Sequence, residues 1–160
     1  MLEKTFNLNN LTATKNLASQ IANVIVPDFV ITLTGDLGTG KTTLTRYILQ
    51  SMGVEGPIKS PTFTIVEPYT AKQNIAIYHF DLYRFNDPEE WFYAGMDEYF
   101  GKQSICFIEW AEKASNLIPE IDWELEFILS NDIDTRILNI KTKSSKGETC
   151  LKQLIKQDVT

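Results

Sequence analysis

VITLTGDLGTGKTTLTRYIL, residues 30–49, rises from an apolar run into a glycine-rich loop, meets a lysine and leaves through a threonine pair. Residues 29–34, FVITLT, are short, β-branched and almost wholly apolar, as a strand buried on both faces requires. Residues 42–52, TTLTRYILQSM, have helical spacing, and Gly53 supplies the stop. Between them, Gly35, Asp36, Leu37, Gly38, Thr39, Gly40, Lys41 and Thr42 satisfy G-x-x-x-x-G-K-[ST]. That spacing has a chemical reason. Glycines let the backbone take positive φ angles and bring its N–H groups close to an anion. A helix that starts at the loop adds unpaired N–H groups and its dipole. Lys41 is expected to reach the β- and γ-phosphates of a nucleotide, and the Thr42 hydroxyl to ligate Mg²⁺. Thr39 is a loop donor. Thr43 either assists through its N–H or hydroxyl or is a plain first-turn helix residue.

The chain around this stretch has 160 residues, enough for one domain with a real core, expected to span residues 1–160. Hydrophobic residues make up 43% and charged residues 22%, the balance of an ordinary globular protein. No apolar run approaches the roughly 18 residues that a membrane-spanning helix needs. The opening MLEKTFNLNN has an early acid and no apolar stretch, so no signal peptide is expected. Cys106 and Cys150 lack metal-ligand spacing, and Cys106 reads as a small core residue. A reducing, cytoplasmic setting is the simplest expectation. The net charge is −6 and only Arg46, Arg84 and Arg136 are arginines. Tight binding of nucleic acid needs a basic surface, so any such contact is expected to be local or shared with another protein.

Helical spacing after Thr12 predicts a first helix with Thr12 as its N-cap. SPTFTIVEPYT (60–70) reads as extended, with Pro61 discouraging helix at its start. NIAIYHFDLYR (74–84) and SICFIEW (104–110) read as strands. Asp87 and Pro88 open a short helix through EEWFYAGM, while WELEFILS and TRILNIKTK form an antiparallel pair around the turn NDID. ETCLKQLIKQ closes the chain as a helix. The expected fold is α/β: a layered sheet of the P-loop type, parallel at its centre with antiparallel flanking strands.

A phosphate loop needs an acid at the end of a neighbouring strand to hold the metal directly or through water. Glu109 ends the continuously apolar ICFIE, which fits a central strand, and is assigned to Mg²⁺. Asp81 ends the mixed IAIYHFD and is left to position water, act as a base or hold the outer shell of the metal. KSPTF (59–63) lies where related folds carry a γ-phosphate sensor; Thr62 fits, with Ser60 second. His79 has no neighbouring Cys or second His and reads as a packed strand residue. Trp110 either shapes the site or packs in the core. Arg84 pairs with Asp81, reaches phosphate or makes a surface ion pair. Asp132 and Asp134 read as solvated turn acids.

GDLGTGKTTLTR, SPTFTIVEPY, YHFDLYR, DPEE and ICFIEW occur in an order that resembles the bacterial TsaE family, also called YjeE. The resemblance covers the chain from Thr12 to Arg136. It implies a small P-loop ATPase, with ATP and Mg²⁺ as cofactors, used in making threonylcarbamoyladenosine in tRNA. It further implies work beside TsaB and TsaD, with ATP hydrolysis supporting turnover of that pair and tRNA contacted indirectly. Carried over by position, the phosphate loop of the family falls on Gly35 through Thr43 and its metal ligands on Thr42 and Glu109. Its important aspartate falls on Asp81 and its switch-like threonine on Thr62. Contacts on the adenine side fall on Leu11 or Thr12.

Other classes leave different marks. A small-molecule kinase needs several cationic groups to clamp acceptor and phosphate, and three scattered arginines do not supply them. A GTPase needs a guanine-reading N-K-x-D and a D-x-x-G switch, and neither is present. A non-catalytic nucleotide-binding adaptor would share the loop but would not need Glu109. No arginine finger or water-orienting glutamine is evident, so hydrolysis by the chain alone is expected to be slow.

Overall fold

The computed structural model of the chain describes residues 1–101 and 103–158. Seven strands are described: β1 (Glu3–Leu8), β2 (Phe29–Thr34), β3 (Val66–Thr70), β4 (Ala76–Asp81), β5 (Ser104–Glu109), β6 (Trp123–Leu129) and β7 (Arg136–Thr142). The helices are α1 (Leu11–Val24), α2 (Lys41–Ser51), α3 (Glu89–Tyr93) and α4 (Ser145–Asp158). All seven strands join one sheet in the order β1-β7-β6-β2-β5-β4-β3. The inner four, β6-β2-β5-β4, run parallel, whereas β7 on β6, β1 on β7 and β3 on β4 run antiparallel. This is the α/β sheet with a parallel centre and antiparallel flanks that the sequence implied.

Alternation along the central strands explains why it is covered on both sides. Phe29, Ile31 and Leu33 of β2, with Ile105 and Phe107 of β5, face one core shared with Leu17, Ile21, Leu44, Ile48 and Leu151 of α1, α2 and α4. Val30, Cys106 and Ile108 face the opposite core with Phe80, Phe85, Trp91 and Met96. Every residue of β5 is buried. Burial pushes the Cys106 thiol up to about 12, as befits a packing residue rather than a reactive one.

Three local expectations change. Asn10, not Thr12, caps α1: its Oδ1 accepts the Ala13 N–H at 2.8 Å. Both residue types cap well, and the buried stripe of α1 begins only at Thr14, so the spacing could not fix the first turn. Residues 60–65 do not form a strand. A turn closes from the Ile65 N–H to the Pro61 carbonyl (2.8 Å), with Ile65 at φ 71°, and pairing starts at Val66. Pro68 sits in β3, an edge strand, where a missing N–H costs little. The short third helix ends at Tyr93 because Gly95 turns the chain at φ 67°. The strand β1 was not foreseen; its signal is the alternation that buries Phe6 and Leu8.

Candidate functional site

Parallel register sets the site. Leu33 of β2 lies opposite Glu109 of β5, and Glu109 opposite Asp81 of β4, so three strands end side by side. Ligand sites in such sheets form outside the carboxyl ends of the strands. The loop from Gly35 to Gly40 leaves β2 here and enters α2. Gly40 is the N-cap of α2 at φ 103°, with no side-chain cap, so the first-turn N–H groups are left to the loop. Gly35 stands at φ 142°, and a Cβ there would meet the Phe127 carbonyl oxygen at 2.8 Å. Only glycine lets the loop pass this close to β6.

Lys41 is 8% exposed and its ammonium lies inside the loop. It donates to the Gly35 carbonyl and, at 3.4 Å, to that of Asp36, and lies 5.6 Å from the centre of the Trp110 ring. Thr39 tightens the same loop, its hydroxyl donating to the Asp36 carbonyl at 2.7 Å.

Glu109 and Asp81 are 4% and 8% exposed. The Asp81 carboxylate accepts the Tyr83 N–H at 2.9 Å. Burial raises its pKa above the ordinary range; the Tyr83 N–H opposes this, the charge of Glu109 adds to it, and His79 and Lys41 oppose it. Glu109 Oε2 lies 2.9 Å from Nε2 of His79. The sequence placed His79 as a packed strand residue. It is packed, at 1% exposure, but it also grips the proposed metal acid. The one sequence signal was its place two residues before Asp81, on the same face of β4.

These groups open onto a cleft of about 700 Å³. Of the residues foreseen, Leu11, Gly38, Thr39, Gly40, Lys41, Thr42, Thr43, Ser60, Thr62, Asp81 and Glu109 line it, as does Trp110. Gly35 and Asp36 shape the loop without lining the cleft, and Thr12 lies exposed on α1. The hydroxyls of Ser60 and Thr62 bond each other at 2.7 Å. Arg84 lies over the Phe63 ring, 4.5 Å from its centre, rather than on Asp81. Sequence reading missed other parts of the lining: Asn9 and Asn10 before α1, Phe127 of β6, and Ile133, Asp134 and Arg136 near the β6–β7 turn. Asp134, foreseen as a solvated turn acid, borders the cleft. Nothing in the local pattern of that hairpin signals a cleft, because β6 and β7 reach it only through sheet pairing.

Among the described residues, no cluster of three or more His, Cys, Asp or Glu side chains has the geometry to hold a metal. That does not disfavour Mg²⁺, which binds through one or two protein oxygens together with phosphates and water. The hydroxyl of Thr42 and the carboxylate of Glu109 line one cleft and supply hard oxygen donors of that kind. The glycine-built loop leaves the space beside them that phosphates would need.

The family model described as "Threonylcarbamoyl adenosine biosynthesis protein TsaE" matches residues 8–138. The chain belongs to the TsaE family. A TsaE relative from Haemophilus influenzae, named tRNA threonylcarbamoyladenosine biosynthesis protein TsaE, is 54% identical over 93 residues, 58% of each chain. The TsaE of the same name from Bacillus subtilis is 34% identical over 145 residues, covering 91% of this chain and 89% of its own. The crystal structure of Bacillus subtilis YdiB superimposes with a TM-score of 0.81 at 29% identity, covering 98% of this chain and 97% of that one. Among the described residues no helix is long and apolar enough to cross a membrane.

Proposed function

We propose that this TsaE-family chain binds ATP with Mg²⁺ in the cleft, hydrolyses the ATP, and thereby supports threonylcarbamoyladenosine synthesis in tRNA beside a TsaB–TsaD pair. One observation carries the reading: a glycine loop at the uncapped start of α2 meets Lys41, Asp81 and Glu109 where three parallel strands end. The names of the relatives support the tRNA assignment.

In this reading the N–H groups of residues 38–43 and the ammonium of Lys41 hold the phosphates. Thr42 and Glu109 hold Mg²⁺, which when bound neutralises charge on the phosphate oxygens. Asp81 orients or deprotonates the attacking water, or would belong to the outer shell of the metal. Thr62, with Ser60 hydrogen-bonded to it, contacts the terminal phosphate. Leu11, with Thr12 next to it, faces the nucleoside. An acidic chain leaves tRNA to the partner pair, and the site sits in the cytoplasm.

A reconstituted mixture of TsaB, TsaD, tRNA and threonylcarbamoyl donor tests this. Adding the wild-type chain with ATP and Mg²⁺ is expected to raise modified tRNA per TsaD well above one, and the Glu109→Ala chain is not. Equal yields with wild type, Glu109→Ala and no added chain would overturn the reading.

A further inference from the structure

His79 is the one histidine of the chain and is 1% exposed. In the β4–β5 ladder His79 lies opposite Phe107 and Asp81 opposite Glu109, so the imidazole reaches diagonally to the Glu109 carboxylate. Nε2 and Oε2 are 2.9 Å apart. A carboxylate in its ionised form only accepts, so this geometry suits an Nε2–H that donates to Oε2. On the far side of the ring, Nδ1 is buried and has no hydrogen-bond partner among the described residues. A side chain present for packing alone has no use for such an atom, since burying it unpaired is costly. The contact that offsets the cost is the one Nε2 makes. Glu109 itself is 4% exposed, and among the described residues its side chain has no other hydrogen-bond partner.

We propose that His79 is a positioning residue for Glu109. Its Nε2–H draws Oε2 back toward the sheet and fixes the carboxylate plane, leaving Oε1 as the oxygen offered to the cleft. A divalent cation arriving with a nucleotide then meets one oxygen in a fixed direction rather than a carboxylate free to rotate or to close on Lys41. Outer partners of metal ligands act in this way generally, and their loss typically costs about 10–100-fold in metal affinity. The inference rests on the cleft being a Mg²⁺–nucleotide site.

Three variants separate donor from packing. His79→Gln can place an amide N–H where Nε2 stood. His79→Asn places one nearer Nδ1, short of Glu109. His79→Phe keeps a ring without a donor. The affinity of the full chain for a fluorescent ATP analogue is measured in Mg²⁺ and in EDTA, with melting temperatures recorded for each variant. His79→Phe and His79→Asn are expected to weaken binding in Mg²⁺ by about 10–100-fold, to leave binding in EDTA within about twofold, and His79→Gln to recover most of the loss. Should the Phe variant not fold, the Gln and Asn pair decides. Nitrogen NMR of the nucleotide-free chain, where a lone histidine needs no assignment, is expected to show the proton on Nε2, protected from exchange in wild type and exposed in Glu109→Ala. Wild-type Mg²⁺ dependence in the Phe and Asn variants, or a proton found on Nδ1 alone, would overturn the role of His79. No effect of Mg²⁺ on the wild type would instead sink the underlying reading of the cleft.

Discussion

Lys41 shows how much a motif can say and where it stops. Its type and spacing announced a phosphate-facing ammonium, and the structure places that ammonium inside the loop, on the carbonyls of Gly35 and Asp36. Lys41→Ala is expected to weaken ATP binding by about 2 kcal/mol, roughly 30-fold, the worth of a hydrogen bond to a charged group. Calorimetric titration checks it; wild-type affinity would contradict it. Asp81 makes a pH prediction. Burial, reinforced by Glu109, raises its pKa, so the fold disfavours its ionised form. The contribution of Asp81 to stability is then greatest below the ordinary Asp range and is lost as pH rises from there to the raised value. Asp81→Asn, neutral and still able to accept the Tyr83 N–H, should melt higher than wild type near neutral pH while turning over more slowly. The melting advantage should vanish at about pH 3, below the ordinary Asp pKa near ~3.9. An advantage of equal size at both pH values would contradict it. Glu109, Asp81 and Thr42 could be proposed from sequence because a phosphate loop calls for a hydroxyl at the start of its helix and for acids at the ends of neighbouring strands. The grip of His79 on Glu109 was not, because it joins residues 30 apart that only sheet pairing brings together.

At the scale of elements, apolar periodicity exposed β2, α2 and β5 because each is buried along its length or along one face. The start of α1 and the strand β1 were harder to read. Two cap residues competed for the first, and the second gains its place only by pairing with β7 at the other end of the chain. Helix α4 was legible as a helix, but not its anchorage. Asp122, 2% exposed, accepts the Val30 N–H at 2.8 Å and the Ser144 hydroxyl at 2.5 Å, and the Trp123 indole donates to the Gly147 carbonyl at 2.8 Å. Gly147 packs so closely that an added Cβ would stand 2.3 Å from the Asp122 carbonyl oxygen. Helix propensity alone favours Ala over Gly by about 1 kcal/mol. Overlap with a backbone oxygen should win, so Gly147→Ala is expected to destabilise the chain by about 1–3 kcal/mol. In a protein of this size that reads as roughly 2–4 °C of melting temperature per kcal/mol. An unchanged or raised melting point would show that α4 is not seated as described.

The whole molecule brings one end of a seven-stranded sheet, one helix start and one hairpin turn onto a single cleft. The order β6-β2-β5-β4 is what sets the loop, Glu109 and Asp81 in a row. The fold class followed from strands separated by helices, whereas the part of the cleft lined by β6 and the β6–β7 turn followed only from the topology. Net charge of −6 and few arginines suit the proposed division of labour, in which a partner would finish the site and hold tRNA. The proposed function therefore turns on ATP hydrolysis in the cleft and on its completion by a partner. Its most direct test is the ATPase rate of the chain alone and with the TsaB–TsaD pair and tRNA. Slow Mg²⁺-dependent hydrolysis is expected for the chain alone, ~100-fold or more faster with the complex, as general acid–base catalysis by one added or ordered group would give, and lost in Glu109→Ala. A rate that the complex does not change, or that Glu109→Ala retains in full, would contradict it.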